Sequence, residues 1–242
     1  MDNLKKIIFK DTLSIVIPLH NKESNIAFTV KSIIENIHAS NLQIVIVENE
    51  STDSSKYIAE KIVKQYKHKI DISLYESEKG LGAALIEGFK HCKNSWIYFT
   101  PADFSFGISD ISYVEKNNLY DKYDVFLGSK SHKDSLISRS RSRTIYSLIF
   151  NSILKIFFKI PFQDTQGTLI FKSRILKDIK KLQNKKFLIS TEFVVKCSQA
   201  DKKILEIPVV DFGIDTVSTV QPFRDGLNMI FNLIKLRVNI NR

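Results

Sequence analysis

Four segments within the first hundred residues share one pattern, in which an apolar, β-branched run ends in a polar or glycine-containing turn and then changes to helical periodicity. In chain order, the segments are LSIVIPLHNKE from Leu13, IVIVENESTD from Ile44, EKGLGAALIEG from Glu78 and YFTPADF from Tyr98. This alternation predicts repeated βα units, which build a mostly parallel sheet covered by helices. Because the carboxyl ends of such strands gather at one edge of the sheet, we expect the polar residues that follow them to form one site.

Hydrophobic periodicity assigns individual strands and helices. Buried strands are predicted at residues 13–18, 44–47, 70–75, 96–100 and 124–127. Helices are predicted around residues 26–37 and 58–63, and from the glycine turn at 80–82 to residue 89. Asn21 is a candidate cap of the first helix, and Ser51 or Asp53 is a candidate cap of the second.

Length and cysteine content limit the kinds of protein that this chain can be. At 242 residues it can form one sizeable core, and we expect a single domain over residues 1–242. Cys92 and Cys197 lie far apart without metal-ligand spacing, which indicates two thiols in a reducing cytoplasm rather than a disulfide framework or a zinc site. The start, MDNLKKIIFKD, has too short an apolar run for a secretory signal, and residues 145–160 are too short and too polar to span a bilayer.

The positive charge of the chain is uneven. The formal net charge is +10, and residues 129–159 hold seven lysines and arginines against one acid, Asp134. A nucleic-acid partner is not expected, because these cations lie beside an apolar helical pattern rather than among exposed stacking aromatics. The basic stretch instead indicates an anionic ligand or membrane surface.

The ordered series of motifs continues through GSK at Gly128, DTQGTLIF from Asp164 and STEFVVKCSQADKKILEIPV from Ser190. Over roughly residues 10 to 235, this series resembles the family 2 glycosyltransferases, in an arrangement similar to the dolichyl-phosphate mannosyltransferase branch. The resemblance implies an α/β, Rossmann-like GT-A fold with a mostly parallel sheet. It also implies an inverting transfer of sugar from a nucleotide-sugar donor, with residues from about 10 to 128 binding the donor and 129–242 forming an acceptor half with amphipathic helices.

The same resemblance implies a donor pocket at the strand ends. The residues that would bind the nucleotide sugar are Pro18, Leu19, Asn21, Glu23, Glu48, Asn49, Gly80 and Gly82. The two glycines would let the backbone pass close to the nucleotide. An alternative stays open, in which Asn21 and Asp53 only cap helices and the glycines serve only the turn.

Asp103 is the residue to which the resemblance assigns the central role. It would be catalytic by holding Mg²⁺ or Mn²⁺, because such a hard cation neutralises a departing diphosphate and completes its shell with water and substrate oxygens. The chain departs from the family pattern here, with Pro101 in place of the first acid. It departs again at Glu48-Asn49-Glu50, where two aspartates and a glycine are common, and these changes leave altered donor choice or lost activity open.

The acceptor decides whether a general base is needed. A polyprenyl phosphate attacks as an anion and needs cations to position it, and by resemblance these contacts would come from Lys130, Arg143 and Ser147. A sugar hydroxyl, as in surface-polysaccharide or lipopolysaccharide synthesis, would need a carboxylate base, for which Asp164 and Glu192 are candidates. The alternative is that Asp164 caps a turn and that Glu192 is an exposed acid in the first turn of a helix.

Two amphipathic segments bear on location. Residues 143–159 and 226–238 carry apolar positions at helical spacing, and basic residues flank the first of them. Such helices can lie in the headgroup plane of a membrane, although packing on the domain explains them as well. We therefore expect a cytoplasmic hexosyltransferase, peripheral on the inner membrane face, that acts on a polyprenyl phosphate or, alternatively, a glycan, or that binds nucleotide sugars without catalysis.

Overall fold

The computed structural model describes residues 6–137, 151–211 and 233–238. The strands are β1 (Ile7–Phe9), β2 (Leu13–Leu19), β3 (Ile37–Ala39), β4 (Leu42–Glu48), β5 (Asp71–Glu76), β6 (Trp96–Phe99), β7 (Val125–Ser129), β8 (Leu169–Lys172) and β9 (Ile204–Pro208). The helices are α1 (Ile26–Asn36), α2 (Ser55–Tyr66), α3 (Leu81–Lys90), α4 (Ser109–Lys116), α5 (residues 151–158), α6 (Ile175–Asp178), α7 (Ile189–Gln199) and α8 (residues 233–238). The predicted acceptor residues Arg143 and Ser147 lie outside the described residues.

The central sheet has the strand order β5-β4-β2-β6-β8-β7-β9. Only β8 runs antiparallel to its two neighbours, and the other pairs in this sheet are parallel. The mostly parallel α/β sheet predicted from the βα repeats is therefore confirmed. The chain moves outward from β2 through β4 to β5 and then returns to place β6 on the other side of β2, so the strand order reverses between β2 and β6. In open α/β sheets, ligands bind at such a reversal, outside the carboxyl ends of the strands.

The five predicted strands all form, as β2, β4, β5, β6 and β7, with ends within about two residues of the prediction. The helix predicted to reach Ile37 was one residue too long. Ile37 instead begins β3 and pairs with Ile7 of β1 in a separate two-stranded sheet. Strands β1, β3, β8 and β9, each of three to five residues, were not predicted.

The central sheet has an apolar core on each face. Alternate residues of β2 point to opposite sides, so Ile15 and Ile17 enter the cluster that includes α1, α2 and α4, while Val16 enters the cluster that includes α3 and α7. A third cluster joins α5, α7 and α8 through Leu154, Phe158, Leu188, Val195, Leu233 and Leu236. In the described part of the chain, no helix has both the length and the apolar character that crossing a bilayer requires.

Candidate active site

A cleft of about 520 Å³ lies where β2, β4, β6 and β7 end. Its lining comprises Pro18, Leu19, His20, Lys22, Asn49, Lys79, Gly80, Leu81, Phe99, Pro101, Ala102, Asp103, Ser105, Phe106, Lys130, Gln166, Gly167 and Thr168. Six of the predicted site residues are among them: Pro18, Leu19, Asn49, Gly80, Asp103 and Lys130. The predicted residues that do not line the cleft are Asn21, Glu23, Glu48, Gly82 and Asp164.

Three of these residues instead join the loop after β2 to the loop after β4. The Asn21 side-chain oxygen accepts a hydrogen bond from the Thr52 amide at 2.8 Å, and the Glu23 carboxylate accepts one from the Ser54 amide at 2.8 Å. The Glu48 carboxylate accepts hydrogen bonds from the amides of Glu50 and Ser51. These bonds hold the rim of the cleft rather than its interior.

The cap predictions have different outcomes. Asn21 does not cap α1, because that helix begins at Ile26 and its N-cap position is Asn25. Neither Ser51 nor Asp53 occupies the N-cap position of α2, which is Ser54. The Asp53 carboxylate nevertheless accepts a 2.9 Å hydrogen bond from the amide of Ser55, the first residue of α2. Desolvation of this carboxyl is outweighed by its hydrogen bonds from Ser55 and Glu23, which lower the pKa of Asp53.

Glu50 has a left-handed backbone with φ of 52°. A side chain makes this conformation less favourable than it is for glycine, which explains why a glycine is common at this position of the family pattern. The substitution therefore affects the backbone of the rim. Glu50 is not part of the lining of the cleft.

Asn49 closes the turn that precedes α3. Its side-chain amide donates to the carbonyls of Glu78 and Gly80, and its side-chain oxygen accepts from the Gly80 amide at 2.9 Å. The end of β4 and the glycine turn are thereby held together on one wall of the cleft.

The two glycines of this turn allow a close approach of protein backbone. A Cβ added at Gly80 would collide with the carbonyl oxygen of Lys185, and one at Gly82 would collide with that of Asn184. Gly80 also has a φ of 137°, which few other residues adopt. Both positions thus require glycine because the backbone of residues 184–185 lies against them. Gly80 also lines the cleft.

Glu192 and Lys196 of α7 hold the segment that covers the glycines. Glu192 is buried rather than exposed, which corrects the alternative considered for it, and Lys196 Nζ lies 2.6 Å from its carboxylate. The same carboxylate accepts hydrogen bonds from the amides of Gln183 and Asn184, at 2.7 Å for Asn184. Lys196 also donates to the Lys181 carbonyl at 2.6 Å. Glu192 is consequently a structural ion-pair partner with no position in the cleft.

Asp103 projects from the turn after β6 and meets a lysine from the opposite loop. Its Oδ2 lies 3.0 Å from Lys22 Nζ, and its Oδ1 accepts a hydrogen bond from the Ser105 amide at 3.2 Å. Among the described residues that line the cleft, Asp103 is the only carboxylate, against three lysines, Lys22, Lys79 and Lys130. The cleft is therefore cationic and suited to an anionic ligand.

Asp164 lies beneath the lining, where it is almost fully buried. Its two oxygens accept hydrogen bonds from the amides of Lys130 and Gln166, at 3.1 and 2.9 Å. It thus positions two residues that line the cleft. The Lys130 ammonium lies 5.2 Å from the centre of the Phe106 ring.

A second buried acid supports the same wall. Asp110 accepts hydrogen bonds from the hydroxyls of Tyr98 and Thr168, at 2.9 and 2.5 Å, and Thr168 lines the cleft. Burial raises the pKa of Asp110 above its ordinary value. Nothing in the local sequence around Asp110 indicates this network, because its partners come from distant segments.

Most of the cationic and aromatic residues that line the cleft were not predicted from the sequence. Lys22, Lys79, Phe106 and Gln166 were not singled out, although Lys22 and Lys79 stand beside residues that were. The signal that identifies the two lysines is the presence of a positive charge in the turn after a predicted strand. Within the described ranges, no group of three or more histidine, cysteine or acidic side chains could enclose a metal ion.

Comparison with known proteins places these features in a family. The model of glycosyl transferase family 2 matches residues 14–188. Dolichyl-phosphate beta-glucosyltransferase of Saccharomyces cerevisiae is 27% identical over 248 aligned residues, which cover 93% of this chain and 74% of that protein. Glycosyltransferase AglD of Haloferax volcanii is 22% identical over 90% of this chain, which matches 35% of that protein.

Solved structures share the architecture at low sequence identity. Glucosyl-3-phosphoglycerate synthase from Mycobacterium tuberculosis, in complex with Mn²⁺, UDP and phosphoglyceric acid, has a TM-score of 0.64 and 12% identity, covering 95% of this chain and 78% of that chain. Mannosyltransferase PcManGT from Pyrobaculum calidifontis, in complex with GDP-Man and Mn²⁺, has a TM-score of 0.62 and 15% identity, covering 94% of this chain and 63% of that chain. These similarities confirm the GT-A fold. Because the family model spans well over half of the residues, this chain belongs to glycosyl transferase family 2 and is a glycosyltransferase.

Proposed function

We propose that this enzyme moves a hexose, with inversion, from a nucleotide sugar to a polyprenyl phosphate. The observation that carries the proposal is the composition of the cleft, where three lysines and one carboxylate are found among the described lining residues. A phosphate acceptor is already ionised at neutral pH, so it needs cations to position it and no general base. A sugar hydroxyl needs a base to take its proton.

The candidate bases support the phosphate acceptor. Asp164 and Glu192 are both buried outside the lining, and each has its carboxylate oxygens occupied by backbone amides or an ion pair. Asp103 faces the cleft but is already paired with Lys22. Among the described residues, these three candidate bases are therefore already engaged by other groups of the protein.

For the donor, the position of the cleft at the strand-order reversal supports a nucleotide sugar. Lys22 and Lys79 would face the diphosphate, while Pro18, Leu19 and Asn49 would line the nucleoside side. Asn21, Glu23 and Glu48 would act by holding this wall, and Gly80 and Gly82 by admitting residues 184–185 behind it. Some residues of this wall would thus contact the donor, and the others would hold those residues in place.

A divalent cation, Mg²⁺ or Mn²⁺, is part of the proposal. Asp103 suits such an ion as a single protein ligand, because its side chain is 13% exposed at the cleft and hard cations complete their shell with waters and diphosphate oxygens. When bound, the ion would neutralise charge on the departing nucleoside diphosphate. The two structurally similar transferases described above are complexes with Mn²⁺, which supports this assignment.

For the acceptor, Lys130 would bind the phosphate as a point charge, and Asp164 would hold the Lys130 backbone in place. Arg143 and Ser147 are proposed as further contacts on the basis of the family pattern. The similarity to the yeast dolichyl-phosphate beta-glucosyltransferase supports a lipid-linked phosphate as the acceptor of this chain.

Exposed apolar side chains on and beside the helices of the third apolar cluster support an association with the cytoplasmic membrane face. Ile156 is 75% exposed on α5, Phe187 is 51% exposed just before α7, and Ile234 and Val238 on α8 are also exposed. Lys155 directly precedes Ile156 and Lys159 follows it three residues later, and both lysines are exposed. Apolar side chains beside lysines suit the boundary between acyl chains and anionic headgroups.

The test is transfer of labelled sugar to undecaprenyl phosphate in parallel with a free glycan acceptor. UDP-, GDP- and dTDP-sugars are first screened with Mn²⁺ by thermal shift, since a ligand that binds the native state raises its stability. We expect transfer to the lipid phosphate, abolished by Asp103→Asn. Lys130→Met should lower it by about ten- to a hundredfold, through loss of a charged hydrogen bond to the acceptor.

The matched comparison is Lys130→Met against Asp164→Asn, with the acceptor concentration varied. A higher KM for the lipid phosphate in Lys130→Met, with donor binding retained, supports the proposed contact. Transfer only to the glycan would show that the acceptor is a hydroxyl, and full activity of Lys130→Met with loss in Asp164→Asn would contradict the proposed Lys130 contact.

A further inference from the structure

The ion pair between Lys22 and Asp103 crosses the cleft at the point where the strand order reverses. Lys22 belongs to the loop after β2 and Asp103 to the turn after β6, 81 residues later. Their side chains are 30% and 13% exposed, and 3.0 Å separates Nζ from Oδ2. The pair therefore occupies the carboxylate that the proposed function assigns to a divalent cation.

The backbone of Lys22 is firmly held. Its amide donates a 2.8 Å hydrogen bond to the hydroxyl of Ser55, which is fully buried, and its carbonyl accepts from the amides of Asn25 and Ile26 at 3.0 Å each. These bonds tie Lys22 to the first turns of α1 and α2. Its aliphatic stem leaves the ammonium able to move, while the backbone keeps it at the cleft.

The turn that carries Asp103 is held as well. The Phe104 amide donates to the Pro101 carbonyl at 3.0 Å, and the Ala102 carbonyl accepts from the Thr29 hydroxyl of α1 at 2.7 Å. Thr29 is fully buried, so this bond connects the turn to the core. Both charged side chains thus start from fixed backbone, and their pairing is a consequence of the fold.

One carboxylate cannot serve an ammonium and a divalent cation equally well. A cation at Asp103 would share the Oδ2 atom with Lys22 or meet its positive charge at close range, and like charges repel strongly where solvent is partly excluded. A diphosphate in the cleft changes this balance, because it offers Lys22 another anionic partner and gives the cation additional oxygen ligands.

We propose that Lys22 acts as a positioning residue that makes binding of the divalent cation at Asp103 depend on the diphosphate of the donor. Without a diphosphate, Lys22 holds the carboxylate and weakens cation binding. With a diphosphate, Lys22 turns to the phosphate oxygens and releases the carboxylate. This inference rests on the donor and metal roles in the proposed function, and it is independent of the acceptor.

The experiment measures Mn²⁺ binding from the electron paramagnetic resonance signal of the free ion, with and without UDP or GDP, relative to the same mixture without protein, because the diphosphates also bind Mn²⁺. In the wild type, Mn²⁺ should bind weakly alone and more tightly with one of the diphosphates. In Lys22→Met, affinity for Mn²⁺ alone should rise by about fivefold, the effect of removing a partly exposed ion pair. The increase in Mn²⁺ affinity that the diphosphate produces should be smaller in Lys22→Met than in the wild type by a similar factor.

Three further variants separate this role from general electrostatics and from misfolding. Lys79→Met removes the same charge from the cleft but no partner of Asp103. Because salt screens charges that are not in contact, the affinity for Mn²⁺ without a diphosphate should change by less than about twofold when the buffer contains salt. Lys22→Arg keeps the charge and should retain the dependence on diphosphate. Asp103→Asn should remove Mn²⁺ binding under both conditions, and thermal unfolding followed by circular dichroism verifies that each variant is folded.

Unchanged or weaker Mn²⁺ binding in Lys22→Met would overturn the inference, as would an equal gain in Lys79→Met. Absence of Mn²⁺ binding to the wild type with either diphosphate would overturn it too. Because no acceptor is present, failure to glycosylate undecaprenyl phosphate leaves this measurement unaffected, and the two proposals can fail separately.

Discussion

Individual side chains near the cleft divide between those that face the cavity and those that hold the loops around it. Lys22, Asp103 and Lys130 face the cavity, whereas Glu48 and Asp164 have their carboxylates bonded to backbone amides of adjoining loops. A carboxylate at a strand end can thus be required by a binding site without touching the ligand. The distinction depends on the direction of each side chain, which a residue's identity does not reveal.

Gly82 provides a prediction at this scale. Alanine usually stabilises a helix by about 1 kcal/mol over glycine, yet a Cβ here would strike the backbone carbonyl of Asn184. We expect Gly82→Ala to lower the free energy of unfolding by about 1–3 kcal/mol, as overpacking does in a close contact. Urea unfolding measures the change, and a variant as stable as the wild type would show that residues 184–185 can move away without cost.

The elements behind the wall of the cleft that we assign to the donor are α7 and the segment before it. The Glu192 carboxylate accepts hydrogen bonds from the amides of Gln183 and Asn184, and Lys196 donates to the Lys181 carbonyl. The Lys185 carbonyl accepts a hydrogen bond from the Ala83 amide of α3 at 3.0 Å. Helix α7 thus supports the glycine turn through an intermediate segment. The arrangement joins the second part of the chain to the donor side of the cleft.

Glu192→Gln should disrupt this arrangement. The substitution leaves Lys196 charged, buried and without its carboxylate, which costs about 3–5 kcal/mol in comparable pairs. We expect a loss of that order in urea unfolding, together with weaker binding of the nucleoside diphosphate. The control is the double variant Glu192→Gln with Lys196→Met, which should recover part of the stability because no buried charge is left unpaired. Equal losses in the single and double variants would contradict this explanation.

Across the whole molecule, one carboxylate joins the three strands β7, β8 and β9. Asp124, just before β7, accepts hydrogen bonds from Lys172 Nζ at 3.0 Å, Arg174 at 3.1 Å and the Lys203 amide at 3.2 Å. Desolvation raises the pKa of Asp124, but these three donors outweigh it and hold the pKa below the ordinary value of 3.8. This part of the sheet therefore has a stability that depends on pH.

Asp124→Asn tests that dependence. A lowered pKa means that the folded state binds fewer protons than the unfolded state, so the carboxylate contributes fully above the unfolded-state pKa of about 3.9 and loses its contribution as the pH falls through the folded value. Because the partners are partly exposed, we expect a deficit of about 1 kcal/mol near neutral pH. Urea unfolding from pH 7 to 3 should show a constant deficit above about pH 5 that shrinks below about pH 4. A deficit at pH 3 as large as the deficit at pH 7 would contradict the role of ionisation.

The predictable part of the fold is the part whose signals are local. The apolar runs that became β2 and β4 carry their own pattern, whereas β8, with four residues like the predicted β6, pairs antiparallel between β6 and β7. Its direction depends on partners far away in the chain. Asp103 and Lys130, which the family resemblance assigned to the site, both line the cleft, Asp103 in the turn after β6 and Lys130 immediately after β7.

The amino-acid sequence alone determined the order of βα units, and hence the edge of the sheet where a site would form, because hydrophobic periodicity is a local property. The tertiary structure decided which polar residues enter the cleft and which are used by its walls. It brought Lys22 to Asp103 and turned Asp164 away from the cavity. Such choices depend on contacts between segments distant in the chain, where each carboxylate takes the amide or ammonium group that the folded backbone presents to it.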